Sequence, residues 1–420
     1  MSRILISLLV LAFLLGSVTN LLDLARHEMV LGLEAQYFQE ELAATDQKIA
    51  HLESELGEID LARTSFEDHY RRANDSILAE AVMPFIDANQ DLNAIFGLVV
   101  RELRSGLEFA YNDTLAGSDG LGSFHPASVC KLFIAAAYCK LDLEGRLSLD
   151  SLLSTPYGPI SVRRLISYML SHSNNNYFNL LYHHLTPEGL HAELREMGIE
   201  QTVVLTSMAP AEEVPPLYDG PIKSTPRDAA IILDRICNGY FEDHTDLLVD
   251  AMVANVYVSR IPRAVAGRAL VAHKTGTTFS FNNSAGITAV NDAGFVYLEG
   301  NPFMIVMLMT ADGPLDLDGA EEAERSLVGS VFNLHQKRAE GVDAYLKSET
   351  TMIGLQTALN EHHEDGRALR EQLTSIVAEQ ERLKASVQQG FVRLLFAVLA
   401  LMGLMSLSLD KSWTPASGRT

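Results

Sequence analysis

Apolar residues recur along this chain with three different periods, and each period predicts a different kind of element. At the two ends they are nearly continuous. Residues 4–22 are apolar except for Ser7, Gly16, Ser17, Thr19 and Asn20, and residues 391–409 form a second run with Arg393 at its edge. Each is about the length of helix that crosses a ~30 Å hydrocarbon core. Next to the ends the period becomes three and four. One series is Phe38, Leu42, Ile49, Leu52, Leu56, Ile59, Phe66 and Tyr70, interrupted at Thr45 and Arg63. The other is Met352, Leu355, Leu359, His362, Leu369, Leu373, Ile376, Leu383 and Val387, interrupted at Gly366 and Gln380. Such heptad spacing predicts coiled-coil helices. One leads away from the first apolar run and the other leads back to the second. An antiparallel stalk, alone or doubled in a homodimer, buries both stripes, and some 40 residues of helix make it roughly 60 Å long. Two solvated helices, or coiled coils between chains, are the alternatives.

Between residues 77 and 345 the pattern is that of a compact domain with mixed elements. Residues 76–90 form an amphipathic helix that Pro84 must kink or split. Residues 96–103 and 107–111 alternate as a β-hairpin about Arg104-Ser105-Gly106. Helices are predicted over 129–143, 162–170 and 175–184. Thr186-Pro187-Glu188 and Thr225-Pro226-Arg227-Asp228 each open a helix with a threonine cap and proline at the first position. Residues 203–221 hold Pro210, Pro215, Pro216 and Pro221 and read as an irregular loop. Late strands fall at 269–277, 284–290, 294–298 and 303–310, and a helix over 321–347 closes the domain. The resulting division is 1–24 anchor, 25–76 stalk helix, 77–345 globular domain, 346–390 returning helix, 391–409 second span and 410–420 cytoplasmic tail.

Charge orients this plan. Arg3 precedes the first span and Lys411 and Arg419 follow the second, which places both termini in the cytoplasm and the domain outside it. Arg26, Arg382 and Lys384 on the other flanks nearly balance that count. Arg3 also suits the n-region of a cleaved signal peptide, though only weak cleavage sites follow. The net charge of −22 disfavours nucleic acid as a partner. The three cysteines, Cys130, Cys139 and Cys237, have no metal-type spacing, and they read as free thiols or one bridge.

Three short motifs carry the chemistry: Ser128-Val129-Cys130-Lys131, Ser173-Asn174-Asn175 and Lys274-Thr275-Gly276-Thr277. The first sets a hydroxyl and an amine one helical turn apart on one face, where a neutral lysine can take the serine proton during attack on a carbonyl. In this order the set resembles serine β-lactamases and penicillin-binding proteins. Thr225-Pro226-Arg227-Asp228 is similar to the helix start after the Ω-loop of the class A group. The resemblance implies an α/β (α+β) fold, an antiparallel five-stranded sheet flanked by helices plus an all-helical lobe, with the site between them. It implies Ser128 as nucleophile, Lys131 as proton acceptor and Ser173 as relay to the leaving nitrogen. Asn175 would hold the substrate side chain, while Lys274, Thr275, Gly276 and Thr277 would receive its carboxylate. The backbone N–H groups of Ser128 and Thr277 would form the oxyanion hole.

Deacylation is where the chain departs from that pattern. The family's loop carries Glu-x-x-Leu-Asn, and counting back from Pro226 its glutamate falls near Ala209. Only Glu212 and Glu213, without a Leu-Asn partner, lie close. Either supplies the deacylating base, or the acyl-enzyme is long-lived. Arg260 either reaches the substrate carboxylate or forms a surface ion pair. His125, His172 and His273 flank the motifs and read as packing residues, so neither a metal nor a cofactor is expected. The expectation is a serine hydrolase in the cell (inner) membrane, its catalytic domain periplasmic or extracellular, acting on a β-lactam or peptidoglycan peptide. A D-alanyl-D-alanine peptidase and a non-turnover receptor signalling through the coiled coil are the alternatives.

Overall fold

A computed structural model describes residues 2–114, 124–156, 158–208, 214, 220–279 and 287–409. Backbone contacts divide the chain into one unit formed by Met1–Leu61 with Glu349–Thr420 and a second formed by Ala62–Ser348. The long helices α1 (Ser2–Ala81) and α10 (Leu317–Leu409) contribute to both.

In the first unit the two helices pair antiparallel. Ile49, Leu52 and Leu359 are buried, with Leu56, Leu355 and Ala358 packed against them. Three interruptions of the heptad series, Thr45, Gly366 and Gln380, meet a small partner across the pair. Gly366 faces Thr45 and Ile49, and Gln380 faces Gly32. A polar or missing side chain on one helix is thus matched by a small residue on the other. The outer end of each helix is long and apolar enough to cross a membrane, with none of its apolar window buried.

The second unit is built on an antiparallel sheet of order β2-β1-β9-β8-β7. Its strands are β1 (Ile95–Glu102), β2 (Glu108–Tyr111), β7 (Leu270–Phe279), β8 (Ile287–Tyr297) and β9 (Phe303–Leu315). Two-stranded ribbons join β3 (Leu152–Thr155) to β4 (Gly158–Ser161) and β5 (Val203–Val204) to β6 (Ile222–Lys223). The helices are α2 (Met83–Ala88), α3 (Lys131–Leu143), α4 (Val162–Ser171), α5 (Asn175–Leu185), α6 (Pro187–Glu196), α7 (Pro226–Cys237), α8 (Thr245–Val253) and α9 (Ile261–Val265). Strand β9 is central and apolar on both faces. Met304, Val306 and Leu308 join the core around α3, while Phe303, Ile305, Met307 and Met309 join the core shared with α1, α9 and α10. Helices cover both faces, so period-2 alternation of polar and apolar residues is lost in this strand.

The two predicted caps form: Thr186 and Thr225 accept from the backbone N–H groups of Gly189 and Asp228. Ser161 and Asn174 cap two further helices by accepting from Arg164 N and Tyr177 N. Pro84 splits the expected amphipathic helix, with α1 ending at Ala81 and α2 starting at Met83. Two expectations fail. Residues 284–286 of the strand predicted at 284–290 lie outside the described residues, and the rest of it joins the strand predicted at 294–298 in one strand, β8, because the polar pair Asn291-Asp292 finds partners inside the fold instead of turning to solvent. The helix predicted to end near residue 347 continues to Leu409 as α10, without a break before the returning segment.

Candidate active site

The Ser128 motif lies in a 3-10 turn, Ala127–Cys130, that runs directly into α3. Residues Lys131 to Leu141 of α3 are all buried, so the helix is a rigid post through the core. Ala127, just before the serine, has φ of 47°, and Ser173 has φ of 52°. Left-handed backbone at non-glycine residues is strained and persists where the surroundings fix it. Of the non-glycine residues with positive φ among those described, these two fall beside or within the motifs.

The side chains then converge. Lys131 Nζ stands 2.8 Å from Ser128 Oγ, as the i, i+3 spacing requires. It also donates to Asn175 Oδ1 at 2.7 Å and to Ser173 O and Oγ at 2.9 and 3.2 Å. Lys274, from β7, donates to Ser173 Oγ at 3.0 Å and to Thr275 O at 2.8 Å. Both amines are fully buried. Burial lowers the Lys131 amine to about 7, and burial together with the Lys131 charge holds Lys274 well below the usual lysine range.

Strand β7 lies hard against the Ser128 turn. A β-carbon at Gly276 would stand 2.5 Å from Pro126 O and 3.1 Å from the Ser128 and Val129 nitrogens, so only glycine permits this approach. Strand β8 ties the same turn from behind: Asn291 Nδ2 donates to His125 O at 2.9 Å, and Asn291 Oδ1 accepts from Met309 N at 3.0 Å. A cavity of about 380 Å³ opens over the serine. It is lined by Ser128, Ser173, Asn175, Thr275, Thr277 and Arg260 of the predicted residues, and by Tyr257, Ser259, Leu317 and Glu321, which the sequence did not single out. The last four carry no motif, since they sit in an irregular segment and at the start of a long amphipathic helix.

Arg260 is not a surface residue. It is buried, and its guanidinium donates to Thr277 Oγ1 at 2.6 Å, to Gly276 O at 3.1 Å, to Asn291 O at 2.6 Å and to Glu321 Oε1 at 3.2 Å. It therefore braces the strand that carries Thr277 while lining the cavity beside it.

Glu212 and Glu213 lie outside the described residues, but both flanks of their loop are placed. Asn179 of α5 accepts from Met208 N at 2.7 Å and donates to Met208 O and Val214 O at 3.0 and 2.8 Å. Asn176 accepts from Val214 N at 3.1 Å. The helix that presents Asn175 thus also pins this loop.

The three flanking histidines each have a separate environment. His125 Nδ1 accepts from Ala127 N at 3.1 Å, and burial lowers its ring to about 4. His172 stacks on Tyr168, and His273 Nδ1 lies 2.9 Å from Asp292 Oδ1. Away from the site, Glu144, Glu193 and Glu196 come together around the Lys140 ammonium, which lies 2.5 to 2.7 Å from each. Cys130, Cys139 and Cys237 are free thiols.

With this geometry in view, comparison with solved structures returns the same fold repeatedly. PBP-A, solved as a point mutant in an acyl-enzyme complex with penicillin G, aligns with TM-score 0.51 at 22% identity, covering 63% of this chain and 97% of that one. The TLA-3 extended-spectrum β-lactamase aligns with TM-score 0.51 at 19% identity, covering 62% and 98%. A β-lactamase from Sphaerobacter thermophilus aligns with TM-score 0.51 at 17% identity, covering 62% and 97%. Comparison with curated proteins gives no match. The sequence profile of the β-lactamase enzyme family matches residues 78–331, more than half of the chain, and the protein therefore belongs to that family.

Proposed function

We propose that this protein is a serine acyl-transfer enzyme in which Ser128 opens a β-lactam or cleaves a wall-peptide amide through an acyl-enzyme. The observation that carries this reading is the buried Lys131 amine, 2.8 Å from Ser128 Oγ and lowered to about 7. Near neutral pH a large fraction of it is uncharged, so it can accept the serine proton without help from a carboxylate. As Oγ attacks, the proton passes to Lys131 Nζ. Ser173 Oγ, touched by both lysines, then relays a proton to the leaving nitrogen. Thr275, Thr277 and Arg260 receive the substrate carboxylate, and Asn175 holds its amide side chain.

Fast hydrolysis of the acyl-enzyme needs a second base, one that activates water. Among the described residues the one carboxylate lining the cavity is Glu321, and Ser259, Arg260 and Arg325 already hold it. Glu212 or Glu213 supplies the base if turnover is fast, and Lys131 serves alone if it is slow. A peptidase or an acylated receptor then becomes the better description. Full-length protein in detergent, incubated with a chromogenic cephalosporin and followed by product release and intact mass, separates these outcomes. Sustained turnover identifies a lactamase, and one equivalent of product with a stable adduct identifies the slow enzyme. Neither product nor adduct, or product or adduct that survives Ser128→Ala, overturns the assignment.

The apolar ends of α1 and α10 support anchoring in the cell membrane, and the flanking Arg3, Lys411 and Arg419 favour a catalytic unit outside the cytoplasm. Carbonate-washed membranes should retain the chain, and protease added to spheroplasts should remove the catalytic unit. Release by carbonate, or full protection from protease, contradicts that topology.

A further inference from the structure

Glu324 is a buried acid without a role in the chemistry above. It lies on α10 with no exposed surface, and no hydrogen-bond donor among the described residues reaches either carboxyl oxygen. The cation closest to pairing with it is Arg260, whose Nε lies 3.5 Å from Oε2. That nitrogen already donates to Glu321, and the rest of the guanidinium serves Gly276, Asn291 and Thr277.

The charges around Glu324 explain its state. Arg260 faces it from the start of α9, Asp292 from β8, and Glu321 and Arg325 from its own helix. Asp292 is in turn held by His273 of β7. Glu321 already pairs with Arg260 and Arg325, and Asp292 adds further negative charge, so an ionised Glu324 in this dry cluster has no cation of its own. Burial accordingly raises the Glu324 carboxyl to about 8, with the Arg260 charge only partly offsetting it.

We propose that Glu324 is a positioning residue for substrate recognition: while neutral it leaves the Arg260 charge and the Thr277 hydroxyl to the anionic group of the substrate, and once ionised it draws Arg260 toward α10 and weakens that recognition. This rests on the acyl-transfer reading, because Arg260 and Thr277 line the cavity over Ser128. It assigns the recognition of negative charge a control that lies behind the cavity wall. The sign is fixed. Raising the pH through about 8 adds a negative charge 3.5 Å from Arg260, so anionic substrates bind less well on the alkaline side and neutral ones do not respond.

The test is acylation kinetics of the full-length protein in detergent from pH 6 to 10, with a penicillin and its methyl ester, for wild type and Glu324→Gln. For wild type, the penicillin concentration giving half-maximal acylation should rise about tenfold across the alkaline limb. Glu324→Gln should flatten that limb, the ester should lack it in both proteins, and the limiting acylation rate should follow Lys131 in both. Lys274 is present in both proteins, so the difference between them isolates Glu324. An identical alkaline rise in both proteins, or an equal rise for the ester, overturns the proposal. If Glu324→Gln does not fold, as judged by circular dichroism, Glu324→Met provides the neutral side chain and the same comparison. If wild type gains no Ser128 adduct at any pH, the acyl-transfer reading fails and this proposal fails with it. An adduct with unaltered pH dependence in the variant defeats only the role of Glu324.

Discussion

Lys131 and Lys274 aim their amines at one oxygen, Ser173 Oγ, from 3.2 and 3.0 Å. The hydroxyl oxygen can accept from both, but two ammonium groups this close repel in a medium with little water. The cluster is relieved when an amine is neutral. Burial lowers Lys131 to about 7 and, with the Lys131 charge, lowers Lys274 further from its usual range. Under the proposed mechanism this yields a lysine base without a carboxylate, and the shared serine links it to the leaving-group side.

The pH dependence of acylation follows. Lys131 accepts a proton only when neutral, so the limiting acylation rate should climb through about pH 7 and level above it. Lys131→Ala should reduce that rate by roughly 10²- to 10⁴-fold, the usual contribution of a positioned base. The same group acts on stability. Its folded value lies below its ordinary value of 10.5, so from about 7 to 10.5 the unfolded chain binds more protons and stability from this residue rises with pH. Stopped-flow acylation across pH checks the first statement. A rate that is flat between pH 5.5 and 8.5 contradicts it.

Gly276→Ala tests the contact between β7 and the nucleophile turn. The added methyl meets a carbonyl oxygen at 2.5 Å and two backbone nitrogens at 3.1 Å, none of which is the tip of a flexible side chain. The strand must back away from Ser128, which displaces Thr277 and Thr275 together. Acylation should fall about 10²-fold or more, as a shift near 1 Å does elsewhere. The stability loss should be about 1 to 3 kcal/mol, the range for overpacking. Retained acylation with a normal melting temperature shows that the strand is not held this closely.

Much of this site was legible because its residues come in short local motifs. Ser128 and Lys131 share a helix face, and Thr186 and Thr225 announce their helices through the prolines that follow. The five-stranded sheet was legible through alternation and through the resemblance, except where Asn291 and Asp292 imitate a turn. Their partners, His125, Met309, His273 and Ile261, are distant in sequence, so no local pattern reveals that two polar residues are satisfied inside a strand. Glu321 and Glu324 were hidden for a related reason. On a helix of mixed polarity they read as solvated acids, and only the packing of α10 against Arg260 shows one lining the cavity and the other enclosed. The continuation of α10 was missed because nothing in residues 340–350 says whether a helix ends or passes on.

Arg260→Ala should destabilise more than its single side chain suggests. The change removes the donors of two backbone carbonyls and of Thr277, and leaves Glu321 with Arg325 and Ser259 as its remaining partners. Breaking a buried ion pair by removing one partner costs about 3 to 5 kcal/mol. A Lys replacement keeps the charge but cannot fork between Gly276 O, Asn291 O and Thr277, so it should recover stability only in part. Chemical denaturation of the catalytic unit within the full chain measures this. A loss under about 1 kcal/mol for the alanine variant means the guanidinium is not bracing β7.

The buried acid makes a prediction for stability that is independent of any substrate. Glu324 titrates at about 8 in the folded protein against an ordinary value of 4.5. Between those values the folded chain holds a proton that the unfolded chain has released. Stability from this residue therefore falls as pH rises from about 4.5 and levels off above about 8. Glutamine has the shape of the neutral acid and never ionises. Glu324→Gln should leave the melting temperature nearly unchanged at pH 5 and raise it at pH 9, the gap widening across the window and then holding constant. Thermal melts of both proteins at pH 5, 7 and 9 give the three points. Parallel curves, with one offset at every pH, would mean that Glu324 is ionised in the folded state throughout and that Arg260 already carries its charge.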